Sequence, residues 1–326
     1  MHPAFSVIFL TTLIGTAQGL FFALFSVQTY TELNLLPSME GTSFFGLGAV
    51  IVVLLLMGGL LSSFFHLGHP ERAWRAMTQW RTSWLSREVI VLPLFMGLVF
   101  LYGVVHFFDW TQPLYTIEGT LPVDLSLIIG LLASIMAFAL YICTAMIYAS
   151  LKFLQEWYSP LTVLNYTFLG LASGFMLAAA FSAFKGIDLV AFFGTWAVIF
   201  TIVGAIGRIA SLMRNKRLRP KIDLTSAIGV RHQQSAQLTQ GFMGGSFNTR
   251  EFFHHKSPGF VNRVRRAFLL LVFIVPVALI VTAYFLESEW LPMTAFAIQY
   301  VGLMAERWYF FAEARHPQNL YYQQIA

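Results

Sequence analysis

The sequence has few charged residues and a single cysteine. Only 11% of its 326 residues are charged, whereas 57% are hydrophobic and 16% are aromatic. The lone Cys143 excludes a disulfide framework, and it excludes an iron–sulfur cluster held by this chain alone, which would need about four thiolates. The scarcity of charge and the mean hydropathy of +0.69 exclude a soluble domain and predict several membrane-spanning helices.

Eight hydrophobic segments follow one another, each near or above the length that crosses about 30 Å of hydrocarbon. They cover roughly residues 4–29, 43–66, 89–108, 125–150, 161–184, 189–211, 267–286 and 291–312. The first segment lacks the basic start and the cleavage site of a signal peptide, so we expect it to be retained. The sequence therefore predicts an all-α integral membrane protein, one domain over residues 1–326 that forms a bundle of eight transmembrane helices.

The distribution of charge orients this bundle. An even number of spans places both termini on one side, and every Lys and Arg except Lys185 falls on that side. The connections on the opposite side are acidic. Because basic connections face the cytoplasm, we expect both termini in the cytoplasm and the protein in the bacterial inner membrane, as a multi-pass protein.

The long connection 212–266 begins with the basic run RNKRLRPK and then becomes rich in Gln, Gly and Ser. One interpretation is a solvated tether. The other is a cytoplasmic docking surface for a peripheral partner, with candidate residues Asn248, Arg250, Glu251, His254 and His255. Its sequence does not resemble a nucleic-acid-binding module, so we expect no nucleic-acid partner.

Several residues predict how the helices pack. Gly15 and Gly19, like Gly170 and Gly174, stand four apart and fit the small-xxx-small pattern of close helix contacts. Gln18 lies in the middle of a span and is expected to hydrogen-bond a neighbouring helix. Pro276 is expected to kink the seventh span without ending it.

The connection between the second and third spans, residues 62–88, combines histidine, arginine and tryptophan at unusual density. His66 is expected to close the second span, since Pro70 disfavours a helical residue before it. Ser86 is a candidate N-cap that places Glu88 in the first turn of the third span. A histidine and a carboxylate are therefore expected at the same cytoplasmic depth.

This combination suits a quinone head group, which needs hydrogen-bond donors, aromatic walls and groups that exchange protons. An imidazole titrates in the right range, a partly buried carboxyl group relays protons, and ionisable groups at membrane depth are functional candidates. The predicted quinone-binding residues are His66, Arg72, Trp74, Arg81, Ser86 and Glu88. The competing interpretations are interfacial anchoring by Arg and Trp, a helix N-terminal charge at Glu88, and a hydrogen-bonded interfacial histidine at His66.

The last span offers a possible second wall of this site. Glu306 or Arg307 is predicted to pair with a charged residue of the 72–88 stretch, and Glu306 and Glu313 share a helix face. The alternative is interfacial anchoring by aromatic residues with local ion pairs. A haem is not expected, because His66 and His106 are the only histidines within spans and they approach opposite faces.

Three segments of the chain carry a family resemblance. The run HLGHPERAWRAMTQWRTSWLSRE resembles the signature of the membrane-anchor subunits of dimethyl sulfoxide reductase and its relatives. The segments HPAFSVIFLTTLIGTAQGLF and GLMAERWYFFAEARHPQNLYYQ are similar to the branch found in cytoplasmic sulfite dehydrogenases. The resemblance implies an eight-helix anchor without haem that holds an iron–sulfur subunit and a molybdopterin catalytic subunit. It also implies that His66 and Glu88 bind a quinol.

The leading hypothesis is an anchor that is not itself catalytic for the substrate and passes electrons from sulfite oxidation to ubiquinone or menaquinone. Cytoplasmic partners favour this sulfite branch, since the sulfoxide reductases of the family are commonly exported. The first alternative is a quinol-oxidising anchor of a dimethyl sulfoxide or polysulfide reductase. The second is a secondary transporter, although the sequence lacks inverted halves and paired broken helices.

Overall fold

The computed structural model describes residues 1–37, 42–117, 121–219, 223–229, 252–317 and 319, and most of these residues are helical. The helices are α1 Phe5–Glu32, α2 Thr42–Phe64, α3 Trp84–Phe107, α4 Leu125–Ala149, α5 Pro160–Phe184, α6 Val190–Lys216, the short α7 Leu224–Ile228, α8 Pro258–Leu286 and α9 Trp290–Glu313. A 3₁₀ helix, Pro70–Gln79, precedes α3, and a hairpin of strands β1 Tyr115–Ile117 and β2 Leu121–Val123 precedes α4.

Seven of the described helices, α1 to α6 and α8, are long and apolar enough to cross a membrane. The prediction of an all-α membrane protein is therefore confirmed. Helix α9 has 24 residues but falls outside this set. Because it carries Glu306, Arg307 and Glu313 near its end, its crossing of the membrane stays a prediction.

Three predicted boundaries were wrong because hydropathy marks only the apolar part of a helix. Helix α3 begins at Trp84, capped by the hydroxyl of Ser83 and not by Ser86, whose backbone N–H donates to Ser83 Oγ at 3.4 Å. Helix α6 continues past residue 211 to Lys216. Helix α8 begins at Pro258, where Ser257 supplies the cap and proline takes the first helical position.

Helix α1 packs against α2, α4, α5 and α9 and so lies at the centre of the described bundle. Its contact with α5 is closest at Gly19 and Gly174, where a Cβ on either residue would overlap the backbone of the other helix. Gln18 donates to the backbone oxygen of Ala137 in α4 at 2.7 Å. The predicted glycine contact and the predicted interhelical hydrogen bond are both confirmed.

As predicted, Pro276 does not end α8. The helix instead makes a π-helical turn at Leu270–Ile274, just before the proline. Since proline has no N–H to offer, the backbone oxygen of Val272 loses its helical donor. The side chain of Gln299 in α9 donates to this oxygen at 3.3 Å, and Gly302 lets the two helices approach, because a Cβ there would lie 2.7 Å from that of Leu271.

Candidate functional site

Glu88 is buried near the N-terminal end of α3, with 8% of its surface exposed. Because the helix begins at Trp84, Glu88 lies in the second turn, and its predicted place in the first turn was wrong. The interaction of a charge with a helix dipole falls off within the first turn. The interpretation of Glu88 as a plain N-terminal charge is therefore weakened.

The Glu88 side chain points towards α4, where the hydroxyl of Thr144 donates to its Oε1. Ser86, two residues earlier, is also buried. Among the described residues no cation lies within ion-pair distance of Glu88. A buried carboxyl group whose charge is not fixed by a cation is suited to exchanging protons with a bound molecule.

Arg87, by contrast, closes the turn in front of α3. Its Nε and Nη2 atoms donate to the backbone oxygens of Trp80 and Arg81, both at 2.9 Å. Its guanidinium lies 4.1 Å from the centre of the Trp84 ring. These contacts fix the direction in which the chain enters α3 and thereby the position of Glu88.

The segment before α3 lies on the surface of the chain. Every residue of Pro70–Gln79 has solvent contact, and Trp74 is 60% exposed. Arg72 and Arg81 are exposed as well, so the structure separates these three predicted residues from the buried Ser86 and Glu88. Their membership of a quinone site stays a prediction, and interfacial anchoring describes the same exposed arrangement.

His66 lies just beyond the end of α2. The helix ends at Phe64, so His66 occupies the following turn, and the prediction that it closes the span was wrong. The His66 side chain is exposed, and partial desolvation still lowers its pKa, while a hydrogen bond to the carbonyl of Ser62 acts in the opposite direction. A neutral imidazole presents one N–H donor and one acceptor nitrogen, which is the pair of functions that a quinone oxygen requires in its oxidised and reduced forms.

A buried ionic cluster joins α6 to α9. The Glu306 carboxylate is fully buried and lies 2.7 Å from Nε of Arg208 and 2.6 Å from Nε of Arg307. Glu313, two turns further along α9 on the same face, lies 3.8 Å from the Arg208 guanidinium. The shared face of the two glutamates is thus confirmed, whereas the predicted pairing with the 72–88 stretch was wrong.

Aromatic rings surround the two arginines of this cluster. The Arg307 guanidinium lies 4.1 Å from the ring centre of Tyr166, and the Arg208 guanidinium lies 5.5 Å from that of Phe268. Arg208 is the residue that sequence reasoning missed. Its signal was present, because an arginine inside the apolar run GAIGRIASLM calls for a buried partner.

A small cavity of about 20 Å³ connects the two regions. Thr144, the partner of Glu88, lines it from α4, and Arg307 lines it from α9, together with Gln18 and Tyr166. A cavity of this size has room for about one water molecule. Thr144, which holds Glu88, and Arg307 of the cluster therefore line one cavity, and among the described residues no direct ion pair joins Glu88 to the cluster.

Part of the predicted docking surface lies outside the described residues, including Asn248, Arg250 and Glu251. His254 is described and is buried, and its Nδ1 accepts from the backbone N–H of Lys256 at 3.0 Å. His255 adopts a left-handed backbone conformation with φ of 52°.

The fold defines a multi-pass membrane protein with a buried ionic cluster between α6 and α9. A family model described as DMSO reductase anchor subunit (DmsC) matches residues 1–313, and the chain belongs to this family. The chain is also 58% identical, over all 326 residues and the full length of both proteins, to the C subunit of sulfite dehydrogenase from Allochromatium vinosum. The family resemblance of the sequence is confirmed.

Proposed function

We propose that this chain is the quinone-binding membrane anchor of a sulfite-oxidising complex and passes electrons from that oxidation to the quinone pool. The observation that carries the quinone site is the buried Glu88 at the start of α3, which Thr144 holds and which has no ion-pair partner in the described part of the chain. The choice of sulfite is supported by the similarity, along the full chain, to a protein named as part of a sulfite dehydrogenase.

In this proposal Glu88 and His66 do the acid–base work of the site. A quinone supplies the redox chemistry, since it takes up two electrons and two protons on reduction. Glu88 holds and releases a proton at its carboxyl group, and His66 donates a hydrogen bond to a ring oxygen. Arg72, Trp74 and Arg81 cover the head group from the exposed segment, and Ser86 lies beside Glu88.

The ionic cluster supports the site from α9. Glu306 and Arg307 are held by Arg208 and by one another, so they do not need to contact the quinone. Arg307 lines the cavity on the far side of Thr144. The cluster thereby fixes the side of the cavity that faces Thr144.

We further propose that electrons reach this site from partner subunits on the cytoplasmic face, an iron–sulfur subunit next to a molybdopterin catalytic subunit. The buried Cys143 gives the chain one thiol, fewer than a cluster needs, and the histidine positions do not favour a haem. The proposal takes residues 1–326 as one domain with eight spans, α9 being the eighth. Both termini and residues 62–88 face the cytoplasm of a bacterium, and the bundle lies in its inner membrane.

A second candidate function reverses the flow of electrons. The matched family is named for a DMSO reductase anchor, and such a protein would oxidise quinol to feed a reductase. The same residues serve both directions, because acid–base groups that release protons on reduction of the quinone also accept them on its oxidation.

The test compares two activities on the same membranes. Quinone-linked electron transfer needs the anchor site, whereas transfer from sulfite to an artificial dye needs only the partner subunits. Glu88→Gln should slow the quinone-linked rate and leave the dye-linked rate unchanged, and His66→Ala should weaken quinone affinity roughly several-fold to tenfold. Equal losses of both activities, or no loss of either, would contradict the proposed site.

A further inference from the structure

His106 lies at the opposite end of α3 from Glu88 and is only 3% exposed. Its ring stacks on Phe45 with 4.9 Å between ring centres and meets the Tyr102 ring edge-on at 4.5 Å. Within the described part of the chain, neither of its ring nitrogens has a hydrogen-bond partner. Buried polar groups are normally paired, so this imidazole calls for a partner from outside the described residues.

A groove of about 660 Å³ lies between α2 and α3 with His106 in its wall. Its other walls are mostly aliphatic and aromatic side chains, among them Val50, Phe100 and Phe107, which face outwards on the bundle, and Ser43 adds a hydroxyl. Gly46 and Gly103 line the groove from the two helices, and a Cβ on Gly46 would lie 3.8 Å from the backbone oxygen of Gly103. Its volume is within the range of pockets that hold drug-sized molecules.

This groove is distant from the proposed site at Glu88. Both residues belong to the continuous helix α3, and at 1.5 Å per residue they are separated by about 27 Å along its axis. That distance is close to the thickness of the hydrocarbon core. The groove therefore lies near the other surface of the membrane.

We propose that this groove is a second binding site for a quinone or quinol, with His106 as the hydrogen-bonding residue and the ring lodged between α2 and α3. The imidazole N–H pairs with a quinone carbonyl, and the acceptor nitrogen pairs with a quinol hydroxyl. An isoprenoid tail follows the outward-facing apolar walls into the lipid. A phospholipid acyl chain also fills an apolar groove, but it leaves both nitrogens of His106 unpaired, and that difference favours the quinone.

The experiment uses the complete complex in phospholipid nanodiscs and a photoreactive quinone that carries an isoprenoid tail. After irradiation, mass spectrometry locates the labelled peptides. We expect label in residues 43–54 and 99–108, in addition to any at 62–88. His106→Phe keeps the ring stacking and removes the hydrogen bond, so labelling of the groove should fall roughly two- to tenfold.

A second variant tests the groove without touching the histidine. Val50 is 52% exposed and lines the groove, so Val50→Trp should fill it and abolish the label there. Val281 in α8 is 44% exposed and is not in its wall. Val281→Trp is therefore the matched control and should leave the labelling unchanged.

The results separate this site from the one proposed at Glu88. Label confined to residues 62–88 would overturn the second site and leave the proposed function intact. Label confined to the groove would support the second site and count against Glu88. Groove labelling that survives His106→Phe and is matched by a photoreactive phospholipid would show a lipid site and overturn the proposal.

Discussion

Neutralising Glu306 should destabilise the protein more than any other single change in the ionic cluster. The carboxylate is fully buried and contacts two arginines, at 2.7 Å and 2.6 Å. Glu306→Gln keeps the volume but leaves Arg307 without a carboxylate among the described residues and Arg208 with Glu313 alone, at 3.8 Å. Removing one partner from a buried ion pair costs about 3–5 kcal/mol.

Glu313 provides the internal comparison. Its side chain is 16% exposed and its contact with Arg208 is long, at 3.8 Å, so its attraction to Arg208 is weaker than that of Glu306. Glu313→Gln should therefore cost less stability than Glu306→Gln. Glu289→Gln, at the exposed start of α9, removes the same charge without a described ion pair and should be nearly neutral.

The assay is the free energy of unfolding of the purified chain, measured by denaturant titration in mixed micelles with all variants in the same lipid and detergent. The expected order of loss is Glu306→Gln, then Glu313→Gln, then Glu289→Gln. A Glu306→Gln variant within about 1 kcal/mol of the wild type, or equal to Glu313→Gln, would refute the reasoning. It would mean that the two buried guanidiniums find other partners at little cost.

Three further predictions concern packing, pH and topology. Gln299→Leu should lower the free energy of unfolding by about 1–3 kcal/mol, because the Val272 oxygen loses its donor; addition of Pro276→Ala, which restores the helical N–H, should recover part of that loss. Burial lowers the pKa of His254, so the unfolded chain binds more protons and stability should fall as the pH drops below about 6.5; in His254→Gln this fall should be shallower. Reporter fusions after residues 67, 230 and 326 should all be cytoplasmic, and alkaline phosphatase activity at any of them would contradict the topology.

The helices were predictable from the sequence because a long apolar segment satisfies its backbone hydrogen bonds in a bilayer by forming an α-helix. The glycine contact between α1 and α5 and the hydrogen bond of Gln18 were also predictable. In membrane helices, small residues allow close packing and polar side chains form hydrogen bonds between helices. Helix ends were predicted less well. Ser83 and Ser86 are both able to cap α3, and only the structure shows that Ser83 does so.

Only part of the ionic cluster was predictable, because residue spacing within one helix does not identify partners on another helix. Glu306 and Arg307 stand out in the last span, but Arg208 lies in a different helix. The burial of Glu88 against Thr144 depends on how α3 packs against α4, and spacing within one segment carries no information on that contact. The sequence presents His106 only as a possible haem ligand, because the groove beside it is lined by residues of two different helices, among them Gly46 and Gly103.

The most direct test of the central claim is the infrared difference spectrum of the membrane-bound complex between its oxidised-quinone and reduced-quinol states. If Glu88 exchanges a proton with the quinone, the spectrum should contain a carboxyl C=O band that shifts on deuteration. That band should be absent in Glu88→Gln and present in Glu313→Gln. A spectrum without a carboxyl band, or one in which the band persists in Glu88→Gln, would contradict the assignment of Glu88 to the quinone site.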